Sequence, residues 1–349
     1  MRFDCFGSRC GVWGGDESGA RRRLEVWHRR FSRFRLDSEL SRLNRDPRAV
    51  VPISAEMARL LTAIHAAATA TGGLVDGTLL HEIEAAGYRT DLGTPVPLDV
   101  ALALAPPREP ARPRPERPGF TLLRAPRTAA PGPALAGPGL TAGSSAGDPA
   151  CFVRRPPGLA FDSGGLAKGL FADLLAEQAE GPFAVDCGGD LRFTGRRRTL
   201  EVTDPFGGPG LHVFEIHEGA VATSGIGKRS WLDAAGRPAH HLLDPATGRP
   251  AFTGVVQVTA LAPTAVEAEW RAKATLLSAD ASWLSHGGLV VFDDGRHDVV
   301  PAPDRGEQEL GLSESKVQAA LEALMPQGSP PDNGGAAPSG TPPAGATSS

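Results

Sequence analysis

The segment Phe161-Asp-Ser-Gly-Gly-Leu-Ala-Lys-Gly169 constrains the fold of this chain more than any other. Residues 159–161 are apolar and a helical pattern of apolar residues follows the glycines, which predicts a strand, a tight glycine turn and a helix N-terminus. Backbone N–H groups at such a turn lie at the positive end of the helix dipole and bind anions, above all phosphate. Lys168 adds a mobile positive charge and Asp162 an acceptor. The alternative interpretation is a plain strand-to-helix connection whose glycines serve packing.

The composition argues against several classes of partner. The chain has 349 residues, enough for a substantial core, and a net charge of −4, which gives no basis for binding nucleic acid or anionic membranes. No apolar run resembles a signal peptide or is long enough to span a bilayer, so we expect neither secretion nor membrane insertion. The four cysteines lack a Cys-x-x-Cys spacing, so we expect reduced thiols in a cytoplasmic protein.

The pattern of elements predicts a single α+β domain over residues 1–325, with a mixed or antiparallel sheet core and surrounding helices. A first strand is predicted within residues 3–13. The Pro-, Arg- and Ala-rich stretch 105–150 predicts an irregular insert, with an extended loop over 106–118. The tail, 326–349, is rich in Pro, Gly, Ser and Ala, and we expect it to be disordered. Later elements are predicted as strands at 120–123, 151–155, 183–186, 199–203, 212–216, 255–262 and 288–292, and helices at 167–180, 264–279 and 314–324.

Local signals in the first half predict helix starts and one exposed acid. Asp37 or Ser38 is expected to cap a short helix, and Ser54 a longer one that ends near Ala70. Asp76 follows two glycines and is expected in an exposed turn, where it serves either the turn or a function.

Three further glycine turns follow in the second half of the chain. They are Val185-Asp-Cys-Gly-Gly-Asp190, Ala222-Thr-Ser-Gly225 and His240-His-Leu-Leu-Asp-Pro-Ala-Thr-Gly248. One such turn is usually structural, but four with a lysine and a histidine among them predict a shared polar cleft for a phosphate-bearing ligand. Common nucleotide motifs are missing, because Gly225-Ile-Gly-Lys-Arg-Ser lacks the P-loop spacing and no Gly-x-Gly-x-x-Gly follows a strand.

The use of lysine points to two positions. Of 36 basic residues, only Lys168, Lys228, Lys273 and Lys316 are lysines. Because arginine is a rigid fork and lysine a compact charge, a lysine in an arginine-rich chain is a candidate for a chemical role. This argument favours Lys168 and Lys273.

The motifs, taken in order and spacing, resemble those of the ApbE family of FAD:protein FMN transferases. The matching patterns are Asp-x-Gly-Gly-x-Ala-Lys-Gly (162–169), Gly-Gly-Asp (188–190), Ala-Thr-Ser-Gly (222–225) and His-x-x-Asp-Pro-x-Thr-Gly (241–248). Phe31–Asn44 and Thr71–Asp76 look like the N-terminal motifs of the family. The resemblance runs from about residue 6 to residue 280 outside the 105–150 insert, and implies the flavin-transferase fold.

The resemblance also implies an activity. Family members bind FAD, split its pyrophosphate with a magnesium ion, pass FMN to a threonine hydroxyl of an acceptor protein and release AMP. Carried over by position, the implied FAD-binding residues are Asp162, Lys168, Asp190, Thr223, Ser224 and Phe6, the last standing where the family has the Met of Met-Gly-Thr. The carbonyl of Gly165 and the side chain of Glu269 are the implied metal ligands, and the implied catalytic residues are His241, with Asp244 nearby, and Lys273.

One position departs from the family pattern. Where the family has Ala-Asp-x-x-x-Thr with both side chains on magnesium, this chain has Ala268-Glu-Trp-Arg-Ala-Lys273. Glu269 can still bind magnesium, but a charged lysine has no lone pair to offer. Either Lys273 replaces the cation and itself neutralises the pyrophosphate, or the site has lost catalysis and holds only flavin or nothing, or the two residues form a surface ion pair. Hydrolysis of FAD to FMN and AMP is a further alternative activity.

Overall fold

The computed structural model describes residues 1–90, 93–124 and 151–303. The helices are α1 (Glu17–Phe31), α2 (Glu39–Arg45), α3 (Ala55–Ala70), α4 (Leu80–Ala85), α5 (Leu98–Ala103), α6 (Ala167–Ala176) and α7 (Ala265–Ser278). The strands are β1 (Arg2–Cys5), β2 (Ser8–Trp13), β3 (Val50–Ile53), β4 (Thr121–Arg124), β5 (Cys151–Arg154), β6 (Phe183–Cys187), β7 (Asp190–Thr194), β8 (Arg198–Val202), β9 (His212–Ile216), β10 (Gly219–Gly225), β11 (Ser230–Leu232), β12 (Pro238–His240), β13 (Leu243–Asp244), β14 (Arg249–Pro250), β15 (Val255–Ala262), β16 (Gly288–Phe292) and β17 (His297–Val300).

An eight-stranded antiparallel sheet forms the centre, in the order β1-β2-β6-β7-β10-β15-β16-β17. A three-stranded sheet (β3-β5-β4) and three short hairpins surround it. β15 is buried along almost its whole length, as expected for a strand covered on both faces. The predicted α+β class with an antiparallel sheet core is confirmed.

Helices α6 and α7 lie on the central sheet and against each other. α6 packs on β6 and β7, and α7 on β10 and β15. An aromatic cluster ties α6 to α1, since the Phe171 ring lies 5.1 Å from that of Trp27 and 5.2 Å from that of Phe31. The contact between α6 and α7 is the feature that positions the candidate site.

Two predicted strands are different in the structure. The strand expected within residues 3–13 is a hairpin, because the backbone turns at Phe6 and Gly7, which have φ of 56° and 64°. The strand expected before the glycine turn does not form at residues 159–161. Instead the Asn44 amide binds both the N–H and the carbonyl of Phe161, at 2.8 Å each, and replaces the sheet partners that a strand would need.

The side chain of Asp76 is buried, contrary to the prediction of an exposed turn residue. Its side chain is 0% exposed, and Arg114 and Arg117 of the 106–118 segment lie 3.5 and 3.8 Å from its carboxylate oxygens. Sequence patterns missed this because the two arginines come from about forty residues away.

The 106–118 segment has no helix or strand, as predicted, and β4 begins one residue later than the predicted strand. Residues 125–150, the helix predicted at 314–324 and the tail 326–349 lie outside the described residues. Among the helices that the structure describes, none combines the length and apolar character needed to cross a membrane.

Candidate active site

The candidate site is built on the first turn of α6. This helix begins at Ala167, and Leu166 at its N-cap supplies no side-chain hydrogen bond. Gly169 allows α7 to approach closely, because a Cβ there would lie 2.7 Å from the carbonyl oxygen of Ala265 and 2.9 Å from an oxygen of Glu269. The glycine therefore brings the acidic face of α7 against the start of α6.

Lys168, whose side chain is partly buried, forms an ion pair with the buried Asp190 at the start of β7. Asp190 is 1% exposed, so little water competes for the pair. Burial alone would lower the pKa of Lys168, but the charges of Asp190 and Glu269 raise the pKa above its usual value. Lys168 is thus a fixed cation rather than the mobile charge that the sequence suggested.

A second buried ion pair joins Lys273 to Glu269 on α7. Lys273 Nζ lies 3.0 Å from Glu269 Oε1, and the N–H of Gly169 donates to Glu269 Oε2 at 3.1 Å. The two side chains are 10% and 1% exposed, so the interpretation as a surface ion pair is wrong. Burial, together with the negative charge of Asp190, raises the pKa of Glu269. Lys273 also faces the glycine turn, since its Cε would lie 3.7 Å from a Cβ at Gly165.

Thr223 and Ser224 lie on β10 beside these pairs. The strand register sets Ala222 opposite Asp190 and Thr223 opposite Thr259. The hydroxyl oxygens of Thr223 and Thr259 are 2.9 Å apart, and Ser224 is buried. The structure therefore brings both predicted hydroxyls to the strand that pairs with Asp190.

His241 carries a neutral imidazole near the cations. Its Nδ1 is buried and has no hydrogen-bond partner among the described residues. Burial and the positive charge of Arg229, with smaller effects of Lys273 and Lys168, hold the pKa of His241 well below its usual value. A neutral imidazole can accept a proton, and the unpartnered nitrogen leaves it free to do so.

Asp244 does not pair with His241, although the sequence placed the two side chains near each other. Its Oδ1 accepts the backbone N–H of Arg112 at 2.8 Å, and its Oδ2 accepts the Thr247 hydroxyl at 2.9 Å. In the described structure Asp244 therefore braces its own turn and attaches it to the 106–118 segment. The predicted catalytic contribution of Asp244 stays a prediction.

Phe6 reaches the site through Arg229. Its φ of 56° is uncommon for a residue other than glycine, and such conformations often occur at functional positions. The Phe6 ring stacks on Phe171 at 5.5 Å, its N–H donates to His28 Nδ1 at 3.2 Å, and its carbonyl accepts Arg229 at 3.5 Å. The hairpin turn is therefore attached to the cation cluster.

Asp162 stands at the entry to the glycine turn, with one oxygen 3.4 Å from Arg33 Nε. That oxygen has no hydrogen bond within the described ranges. The backbone N–H of Asp162 donates to the carbonyl of Gly77 at 2.9 Å, which joins the glycine turn to the segment that contains Asp76. The acceptor predicted at Asp162 is thus present and incompletely satisfied.

Arg229 and Asp173 were not predicted as site residues. Arg229 follows the Gly225 turn, which was the signal that could have identified it, and its positive charge acts on His241 and Lys168. Asp173 caps α7 by accepting the N–H groups of Ala265 and Val266 at 2.8 and 3.0 Å. An acid inside the apolar, buried run of α6 was the signal that could have identified it.

The residues around Glu269 do not fit a magnesium ion. Both carboxylate oxygens already accept hydrogen bonds, one of them from an ammonium group. A divalent cation about 4 Å from that ammonium would meet a repulsion of about 8 kcal/mol at an effective dielectric constant near 20. Within the described residues, no group of three or more His, Cys, Asp or Glu side chains could hold a metal ion. The geometry therefore gives no support to the predicted metal ligands Glu269 and Gly165.

Solved structures with a similar fold are ApbE proteins of several bacteria. The ApbE protein of Thermotoga maritima superposes with a TM-score of 0.63 at 22% identity, over 90% of this chain and 99% of that one. The flavin transferase ApbE of Vibrio cholerae has a TM-score of 0.58 at 20% identity, over 86% of this chain and 96% of that one. The flavinyl transferase ApbE of Pseudomonas stutzeri, in its apo form, has a TM-score of 0.59 at 17% identity, over 90% of this chain and 96% of that one. At these identities the likeness establishes the fold.

Sequence comparison gives the family. A curated relative, the FAD:protein FMN transferase of Treponema pallidum, is 33% identical over an alignment of 150 positions that covers 37% of this chain and 41% of that protein. The chain thus matches less than half of the length of that relative. The sequence profile of the ApbE family matches residues 11–286, most of the chain and all of the site residues named above except Phe6. The chain belongs to the ApbE family.

Proposed function

We propose that this protein is a FAD:protein FMN transferase, which splits the pyrophosphate of FAD, attaches FMN to a threonine hydroxyl of an acceptor protein and releases AMP. Family membership and the activity named for the Treponema relative support the proposal. The observation that carries it is the position of Lys168. This partly buried cation lies at a helix N-terminus without a side-chain cap, next to Asp190, where an anionic group is best stabilised.

The chemistry follows from these positions. The threonine oxygen of the acceptor attacks the phosphorus of the FMN half, and the bond from that phosphorus to the oxygen of the AMP phosphate breaks. The hydroxyl proton passes to the neutral imidazole of His241, and AMP leaves as an anion that needs no proton near neutral pH. Transfer of this kind depends mainly on alignment and charge neutralisation, which Lys168 and the α6 N–H groups supply.

Magnesium and the cytoplasmic location remain predictions. The buried Glu269–Lys273 pair argues against the metal, so a comparison of magnesium with EDTA belongs in the first assay. The proposed transfer requires an acceptor protein with an accessible threonine that can reach the imidazole of His241.

The test is chromatography of flavins and nucleotides after the full chain is incubated with FAD and a peptide carrying a central threonine, with magnesium or EDTA. We expect AMP release equal to the FMN bound to the peptide. AMP with free FMN and an unlabelled peptide would indicate hydrolysis instead, and intact FAD in both solutions would indicate a flavin-binding protein without catalysis. His241→Gln should reduce labelling, whereas His297→Gln, at an exposed histidine of β17, should not.

A further inference from the structure

Three cations and three carboxylates meet in this part of the site. Lys168 pairs with Asp190 and Lys273 with Glu269, and Asp186 lies close enough to Lys168 for the two charges to interact. Asp186 already accepts the Gly189 N–H, and within the described residues the hydrogen bond of Arg229 is to the carbonyl of Phe6, at 3.5 Å. Among the described residues Arg229 is therefore a cation without a paired carboxylate, and such a cation favours a ligand with negative charge.

The cations also keep unused donors. An ammonium has three N–H bonds, and Lys168 and Lys273 each donate one of them to a carboxylate. A guanidinium has five, and Arg229 makes a single long contact within the part of the chain that the structure describes. Several N–H bonds thus remain for phosphate oxygens, and forming bonds with them requires no carboxylate to be released.

The position of Lys273 is fixed by two elements. The Glu269 carboxylate is held by Gly169 of α6 as well as by Lys273, so the ammonium stays between α7 and the glycine turn. Gly165, on the path from Ser163 to the start of α6, faces this side chain, since a Cβ built there would lie 3.7 Å from Lys273 Cε. The ammonium therefore stands where the turn would receive an anion.

We propose that Lys168, Lys273 and Arg229 form a cation cradle that binds the pyrophosphate of FAD without a divalent metal. The inference rests on the proposed function for the identity of the ligand. FAD carries a negative charge on each of its two phosphates, and the three side chains offer both the charge and the donors to match them. Fixed ammonium and guanidinium groups then neutralise the charge that develops as the pyrophosphate bond breaks.

The first experiment measures binding of FAD to the full chain by flavin fluorescence, once in EDTA and once in excess magnesium, with no acceptor present. We expect dissociation constants that agree within about twofold, because the cradle supplies the positive charge itself. Inorganic pyrophosphate should displace FAD equally well in both solutions. Tightening of FAD or pyrophosphate binding by about tenfold in magnesium would overturn the proposal.

The second experiment removes two of the three cations, Arg229 and Lys273, one at a time. Arg229→Gln and the paired variant Glu269→Gln/Lys273→Met, which leaves no unpaired buried charge at this position, should each weaken FAD and pyrophosphate binding by about tenfold or more. Riboflavin, which has no phosphate, should bind as before and reports an intact flavin site. Lys228→Gln is the matched control, since Lys228 is exposed next to Arg229. Unchanged pyrophosphate binding in both cradle variants would refute the cradle.

The outcomes separate the cradle from the proposed activity. Tight FAD binding in EDTA without any labelled acceptor would support the cradle and count against the transferase. Labelling that requires magnesium would support the transferase and overturn the cradle.

Discussion

Asp173 is expected to make the fold less stable as the pH rises from about 4 to about 6. Its side chain lies between α6 and the N-terminus of α7, whose first N–H groups it accepts at 2.8 and 3.0 Å, and Arg192 of β7 lies 3.4 Å away. Despite these partners, burial raises the pKa of Asp173 from 3.8 to about 6, and Glu177 adds to the increase. The helix that carries Glu269 and Lys273 is thus held by an acid that is costly to ionise.

The direction of the pH effect on stability follows from the pKa of Asp173 in the unfolded chain, 3.8, and in the folded chain, about 6. Between them the folded chain keeps a proton that the unfolded chain has released, so stability is complete below the unfolded pKa and is lost as the pH rises through the folded pKa. A shift of about two units is worth about 3 kcal/mol over the whole interval, and about 2 kcal/mol of this falls between pH 4.5 and 7.

Urea denaturation at pH 4.5 and at pH 7 measures this effect. The wild type should gain about 2 kcal/mol at the lower pH relative to Asp173→Asn, whose amide does not titrate. Asp280→Asn is a control of opposite sign, because the Ser282 N–H lowers the pKa of Asp280, so its stabilisation is lost as the pH falls. A difference between wild type and Asp173→Asn that stays constant across this range would refute the reasoning.

Three further predictions concern His241, Asp76 and Gly169. Because the pKa of His241 is held well below its usual value, the imidazole stays neutral, and transferase turnover should not fall between pH 7.5 and 6; a rate profile across this range checks it. Asp76→Ala removes the carboxylate from Arg117 and leaves Arg114 with Glu82, so it should lower the free energy of unfolding by about 1–3 kcal/mol in urea titrations. Gly169→Ala puts a methyl group 2.7 Å from the backbone oxygen of Ala265; thermal denaturation should show a loss of about 1–3 kcal/mol, and FAD binding should weaken.

Local signals in the sequence were sufficient for much of the fold. The hydroxyl of Ser38 caps α2 and that of Ser54 caps α3, as predicted from residue type and the apolar pattern that follows each serine. The order of four glycine motifs led to the family, and the family profile confirmed it. These features depend on residues that are close in the chain.

Features that depend on distant residues were missed. Apolar residues at 159–161 predicted a strand, but the partner of Phe161 is the side chain of Asn44. Asp76 is paired with arginines from an irregular segment, and Asp244 with the backbone of Arg112 rather than with His241. A pattern reports the preference of a segment, and the partner that satisfies its polar groups is set by tertiary contacts.

The Glu269–Lys273 pair shows how such contacts change the meaning of a motif. An acid and a lysine four residues apart on a helix are usually a solvated pair worth a few tenths of a kcal/mol. Here Gly169 allows α7 to pack against the start of α6, and Asp173 holds the N-terminus of α7 in that position. The same pair therefore lies in the core, beside Lys168 and Asp190. An ion pair in such surroundings is a poor source of stability, because its desolvation cancels much of its attraction. The position of Lys273 next to the glycine turn is better explained by the positive charge that its ammonium presents to an anionic ligand.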